Sequence, residues 1–134
     1  LYTENDTLKL HNYLSKLLEI NGVHLDYIVY CPHHKDGTIT NLNIECNCRK
    51  PKDGMIIKTI DYFHEKKIDI SLSSSIIIGD KEIDIETGIN AKIGIKVLVR
   101  SGHKIDEINT KADYIFDNLY QFYKFMEEKN ESKV

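Results

Sequence analysis

No stretch of this 134-residue chain approaches the roughly 20 consecutive apolar residues that span a bilayer. No secretory leader, with its basic start and apolar centre, opens it either. Positive charge is not in surplus: 18 Lys and Arg stand against 21 acids, for a formal net charge of −3. That balance argues against a nucleic-acid backbone or a membrane as partner, and leaves room for a local basic patch that binds a small anion. The cysteines number three, an odd count, all within residues 31–48. A disulfide framework is therefore disfavoured, and a reducing, cytoplasmic setting is expected. Repeats, linkers and low-complexity tracts are missing. With 41% apolar and 29% charged residues, residues 1–134 are expected to form a single globular domain with a real core.

A methionine start is also lacking. Leu1-Tyr2-Thr3-Glu4 does not look like a natural beginning, and the chain is expected to start partway into a longer one.

Along the chain, Thr3 and Asp6 fit a capping pattern, and Leu10, Tyr13, Leu14, Leu17 and Leu18 recur at helical spacing up to Asn21-Gly22. Tyr27 to Tyr30 reads as a buried strand that delivers Cys31 at its carboxyl end. Residues 32–53 are loop-like, with only Ile39, Leu42 and Ile44 to pin them. Met55, Ile56, Ile60 and Phe63 mark a second helix. Strands are expected at 75–78, 95–99 and 114–116, with a short helix around Gly88 and Ala91 and a last helix capped by Asp117. Strands alternating with helices imply an α/β fold, a doubly wound parallel sheet with helices on both faces. In such sheets ligands sit beyond the carboxyl ends of the strands, where both Cys31 and Asp80 fall.

Three stretches carry chemistry. Cys31-x-His33, twelve residues, then Cys46-x-Cys48 offers three thiolates and one imidazole, a closed tetrahedral set for structural Zn2+. His34 is the alternative to His33. A metal here would order a loop that has little apolar content of its own. Arg49-Lys50-Pro51-Lys52 follows directly, and Arg and Lys held beside such a loop suit phosphate recognition. Ile76-Ile77-Ile78-Gly79-Asp80 is an apolar strand closed by Gly-Asp, with Asp84 four residues on. Two carboxylates so placed can hold Mg2+ directly or through water. The same pattern fits a helix N-cap at Asp80 with acids favoured by the helix dipole, and the residues alone leave both readings standing.

Together, "YCPHHKDG", "CNCRKPKDGM", "IIGDKEIDIETGINA" and "KVLVRSGH" resemble the haloacid dehalogenase (HAD) superfamily, and within it the zinc-loop sugar phosphatases, over about residues 1–125. The resemblance implies Cys31, His33, Cys46 and Cys48 as zinc ligands, Lys50 as the lysine that steadies the nucleophile and the transferring phosphoryl group, and Arg49 as a substrate contact. It implies Asp80 as a Mg2+ ligand, Lys81 as a neighbouring polar contact, and Asp84 as an acid behind the Mg2+. The implied protein is a cytoplasmic Mg2+-dependent phosphatase, monomeric when complete. Its implied substrate is a heptose bisphosphate on the route to lipopolysaccharide-core and nucleotide-heptose precursors. The spacer and the Pro-Lys-Asp-Gly-Met ending favour that substrate over histidinol phosphate.

That superfamily's nucleophile motif, strand then Asp-x-Asp-Gly-Thr, is not in this chain. Asp36-Gly37-Thr38 is a decoy, because His34 stands where the attacking Asp belongs and the segment follows Cys31-Pro32-His33 rather than a strand. Two strands of the expected sheet are missing with it, on the order of 50 residues. These 134 residues are thus expected to be inactive and unstable by themselves. The competing reading is a non-catalytic relic that uses the zinc loop and basic patch to bind a phosphorylated ligand.

Overall fold

The computed structural model describes residues 3–31 and 46–131. They belong to two compact units, Leu1–Cys46 and Asn47–Val134. His33, His34, the Asp36-Gly37-Thr38 triplet and the apolar loop residues Ile39, Leu42 and Ile44 lie outside the described residues.

The first unit holds helix α1, Glu4–Ile20. The expected capping box is formed: Asp6 N–H donates to Thr3 Oγ1 and Thr3 N–H donates to Asp6 Oδ2, each at 3.1 Å. Those bonds hold the Asp6 carboxyl below the ordinary carboxylate range. The N–H of Asn21 and of Gly22 return to the carbonyls of Leu18 and Glu19 and end the helix. After it, residues 23–31 run without a ladder, and the strand expected at 27–30 is not formed. The run is rich in β-formers, but a strand needs a hydrogen-bonded neighbour, and none of the described residues pairs with it. The Tyr30 ring instead meets His11 of α1 edge-on, with centroids 5.2 Å apart.

The second unit is built on a three-stranded parallel sheet, not the four strands expected. β1 is Ile76–Gly79, β2 Ile95–Val99 and β3 Tyr114–Phe116, in the order β1-β2-β3. Helix α2, Gly54–Glu65, and a single 3-10 turn, Leu72–Ser74, precede the sheet. Helix α3, Glu82–Asn90, joins β1 to β2, and α4, Leu119–Glu131, follows β3.

Register shows which face each helix covers. Ile77 sits beside Lys96, and a Cβ on Gly88 of α3 would meet both side chains, so α3 lies on the Ile77, Lys96 and Leu98 face. Val97 and Val99 point the other way, into a cluster with Phe122 of α4 and, around it, Ile95, Phe116, Phe125 and Met126. The helices therefore do cover both faces, as an α/β sheet with a buried centre requires. Val97 and Leu98 are fully buried on opposite faces of the same strand.

The start of α4 differs from expectation. Asn118, not Asp117, caps it: Asn118 Oδ1 accepts from Gln121 N–H at 2.9 Å. Asp117 is drawn off by Arg100, whose Nη1 donates to it at 2.7 Å.

Much apolar surface stays exposed. No residue of α1 is buried, and Leu10, Tyr13, Leu14 and Leu17 are 41–67% exposed along one side. Among the described residues β1 forms one edge of the sheet, with Ile76 and Ile78 more than a third exposed. Open apolar edges favour association over folding. Expressed without further sequence, these 134 residues should bind a hydrophobic dye and lose ellipticity gradually on heating. A single steep thermal transition, the same by near- and far-UV circular dichroism, would refute this.

Candidate metal and phosphate site

In the first unit the Sγ atoms of Cys31 and Cys46 stand 3.4 Å apart. A disulfide would bring them to ~2.05 Å. Two thiolates on one tetrahedral Zn2+ at ~2.3 Å would stand ~3.8 Å apart, much nearer the distance seen. Cys48 lies two residues beyond Cys46 in the chain, and all three thiols are half-buried. Thiols so spaced can hold a metal, and they fit a soft-ligand ion such as zinc by their donor chemistry. A tetrahedral site needs a fourth donor, and the expected one, His33, is outside the described residues.

In the second unit Asn47 to Asp53 make a series of bends and turns that lead into α2. Gly54 N–H donates to Asn47 O at 2.8 Å and Lys52 N–H to Arg49 O at 3.0 Å, which folds the segment back on itself. Asn90 at the end of α3 donates to Pro51 O at 2.7 Å and ties the turn to the helix. Arg49 and Lys50 are both exposed, and Lys50 Nζ forms an ion pair with Asp84 Oδ1. The Asp84 side chain is only 9% exposed, against 41% for Lys50. Its other oxygen, Oδ2, accepts from Lys81 N–H at 3.2 Å, where α3 begins. A buried carboxylate needs such partners, since left unpaired it would be costly. The strand-ending glycine has a role beyond a tight turn: a Cβ on Gly79 would overlap the Asp84 carboxyl group.

Asp80 follows Gly79 at the carboxyl end of β1. It is not the N-cap of α3, a position taken by Lys81. Its Oδ2 lies 2.7 Å from Nδ1 of His103, which lies beyond the carboxyl end of β2. The hydrogen bond from His103 is the main reason that the Asp80 carboxyl is held below the usual carboxylate range. An ionised carboxylate only accepts, so the imidazole nitrogen must donate. A half-exposed anionic carboxylate at this edge suits Mg2+, which takes one or two protein carboxylates and keeps water and phosphate oxygens for the rest.

The segment after β2 is pinned at several points. Arg100 Nε and Nη2 donate to the two oxygens of Glu107 at 3.0 and 2.8 Å, and Nη1 donates to Asp117. These carboxylates raise the guanidinium pKa further, and Arg100 in turn lowers that of Glu107. Glu82 of α3 accepts from Thr110 Oγ1 at 2.6 Å and from Lys111 N–H at 2.9 Å.

Of the residues singled out in the sequence, the fold of the second unit thus gathers Lys50, Asp80, Lys81 and Asp84 around the end of β1 and the start of α3. His103 was not among them. The signal available was its place: Ser101-Gly102-His103 stands just beyond the carboxyl end of β2, the neighbour of the strand that delivers Asp80.

A family model described as HAD-hydrolase-like matches residues 47–122. The chain is 35% identical over 120 residues to the D-glycero-β-D-manno-heptose-1,7-bisphosphate 7-phosphatase of Yersinia pestis, covering 89% of this chain and 61% of that protein. It is 36% identical over 119 residues to the protein of that name from Escherichia coli K12, covering 88% and 60%. For the one from Haemophilus influenzae the figures are 38% over 119 residues, covering 88% and 61%. The chain spans about three-fifths of the length of these curated relatives.

The Lys50–Asp84 pair should behave as a coupled unit. Lys50→Met strands a buried carboxylate and should lower unfolding free energy by about 1–3 kcal/mol, discounted from a fully buried pair because Lys50 is part exposed. In the Lys50→Met/Asp84→Asn double variant the loss should be smaller than the sum of the single losses. Urea titration of the complete protein measures all three, and strict additivity would mean that the two side chains do not depend on each other.

Proposed function

The chain belongs to the HAD-hydrolase-like family, and we propose that it is the larger part of a Mg2+-dependent phosphatase that removes the 7-phosphate of D-glycero-D-manno-heptose 1,7-bisphosphate. The observation that carries this reading is the convergence of Lys50, Asp84 and Asp80 at one strand end, where an α/β sheet places its ligands. The 35–38% identity to phosphatases named for that substrate supports the choice of sugar. We read both units as parts of one catalytic domain.

Each residue has a role that follows from its chemistry. Lys50 presents an ammonium to the phosphoryl oxygens, and Asp84 fixes it in place. The charge of the transferring group is thus met by a preorganised cation rather than by a side chain that must first be ordered. Arg49, exposed beside it, forks onto substrate phosphate or sugar oxygens. Lys81 adds a polar contact at the head of α3. Asp80 is the protein ligand for Mg2+, with Asp84 behind it as the anchor of Lys50. Magnesium, when bound, neutralises charge on the phosphoryl oxygens. The attacking carboxylate and the general acid–base belong to an Asp-x-Asp-Gly-Thr segment that this chain does not carry, so these 134 residues by themselves are inactive. Cys31, Cys46, Cys48 and His33 would hold zinc, which would order the loop that leads to Arg49 and Lys50. The product leaves as inorganic phosphate and a heptose monophosphate.

The proposed setting is cytoplasmic, as a monomer, with a sugar phosphate as the only partner. Among the described residues no helix is long and apolar enough to cross a membrane.

In the complete protein, Asp80→Asn should reduce phosphate release from the heptose bisphosphate by at least about a thousandfold while the melting temperature stays within a few degrees. Substantial residual turnover in that variant would remove Asp80 from the mechanism. Zinc should be present at one ion per chain. Stripping it with a chelator should speed protease cleavage between residues 31 and 48 and raise KM more than it lowers kcat. Unchanged cleavage after complete zinc loss would refute a structural metal.

A further inference from the structure

One contact near the proposed Mg2+ site is not accounted for by the roles above: His103 on Asp80. The pair is partly exposed, at 54% for the imidazole and 36% for the carboxylate. Exposed pairs of this kind add little to stability. Yet several separate features converge to place it. Arg100 anchors the start of the segment through Glu107 and Asp117. Glu82, two residues after Asp80, anchors its far end through Thr110 and Lys111. Between them, Gly102 has no Cβ where one would overlap Asp80 Oδ2. Residue identity at 82, 100, 102 and 103 thus serves one result, the seating of Ser101-Gly102-His103 against Asp80. A frame this deliberate around a weak surface pair points to the carboxylate itself as the thing being held.

We infer that His103 is a positioning residue for the divalent cation site: its Nδ1–H holds Oδ2 of Asp80 and fixes the carboxylate so that the remaining oxygen serves as the cation ligand. The inference rests on Asp80 being that ligand, as proposed above. The logic is that of an outer partner that orients a metal-binding group. A carboxylate that binds through one oxygen has the second to spare, and a donor on the second removes a rotational freedom that cation binding would otherwise have to freeze. The donor is neutral or cationic without changing the geometry, so the role does not depend on its charge. His103 touches neither substrate nor phosphorus in this scheme and acts through Asp80 alone.

The test is a Mn2+ titration of the complete protein followed by electron paramagnetic resonance, without substrate, so that the readout is cation affinity rather than turnover. His103→Ala should weaken Mn2+ by about 10–100-fold. His103→Asn, whose amide nitrogen falls near the position of Nδ1, should recover most of that loss. His103→Gln, whose nitrogen falls near Nε2 instead, should not, and it serves in place of the alanine variant should that one not fold. Asp80→Asn should abolish binding. In turnover, raising Mg2+ should restore kcat to His103→Ala but not to Asp80→Asn. Wild-type affinity in His103→Ala, with Asp80→Asn still defective, would overturn the positioning role and leave the Mg2+ site standing. Equal loss in the Asn and Gln variants would also overturn it, since bulk rather than the donor would then matter. Wild-type affinity in Asp80→Asn would overturn the assignment of Asp80 beneath it.

Discussion

The arrangement around β1 depends on one buried negative charge. Asp84 sits on the first turn of α3 with almost no solvent access, packed where Gly79 has no side chain. Desolvating a carboxylate is unfavourable unless it is met by a positive charge and by hydrogen-bond donors. Lys50 supplies the first and the backbone of Lys81 the second. To reach Asp84, Lys50 must be delivered by the turn at 47–53, which Asn90 grips from the other end of the same helix. A single acid therefore specifies the position of a distant basic segment. Ion pairs of this kind are weak evidence for net stability, since an apolar replacement could pack as well. Their use here is location. A methionine at 84 would leave the helix intact and Lys50 without an address.

How much of this was legible in the sequence varies by element. Helix α1 was readable because its cap, period and stop are all local. β1 was readable because an all-apolar run closed by Gly-Asp has few other uses, and β2 because Ile95-Lys96-Val97-Leu98-Val99 is rich in β-branched residues and closed by Arg-Ser-Gly. The run at 27–30 has the same β-forming composition, but a strand is defined by its neighbour, which no local pattern reveals. Asp117 looked like a cap because it is the right residue type just before a helix. Asn118 is equally suitable and one residue nearer, and Arg100 competes for the acid from 17 residues away. The cap reading of Asp80, open in the sequence, fails because Lys81 holds that position, and the Asp80 carboxylate meets His103, 23 residues on. Such contacts between separate strand ends follow from sheet order, and sheet order is not written in any one segment.

The cysteine cluster belongs to a different category. Cys46-x-Cys48 places two thiols within a short span by chain connectivity alone. Bringing Cys31 to 3.4 Å from Cys46 needs the chain to return across fourteen intervening residues. A closure of that length has an entropic cost that its few apolar side chains do little to offset. Thiolates brought this close would also repel each other. A divalent cation removes both difficulties in one step, by cross-linking the loop and cancelling the charge. The cluster is thus more readily understood as a metal site than as a hydrophobic one.

At the carboxyl ends of the strands, the second unit replaces apolar packing with charge. Its buried apolar core is Ile85, Ala91, Ile93, Val97, Leu98, Val99 and Phe122, in the central strand and the elements that flank it. Beyond the strand ends the contacts are Lys50 with Asp84, Asp80 with His103, Arg100 with Glu107 and Asp117, and Glu82 with Thr110 and the Lys111 backbone. An anionic, strongly hydrated substrate could not enter an apolar rim without losing its water. A rim of paired charges stays wet, holds its geometry through directional bonds, and can exchange one partner for a ligand without exposing a core. The same edge that is least stabilised by burial is in this way the one that the proposed phosphate site would use.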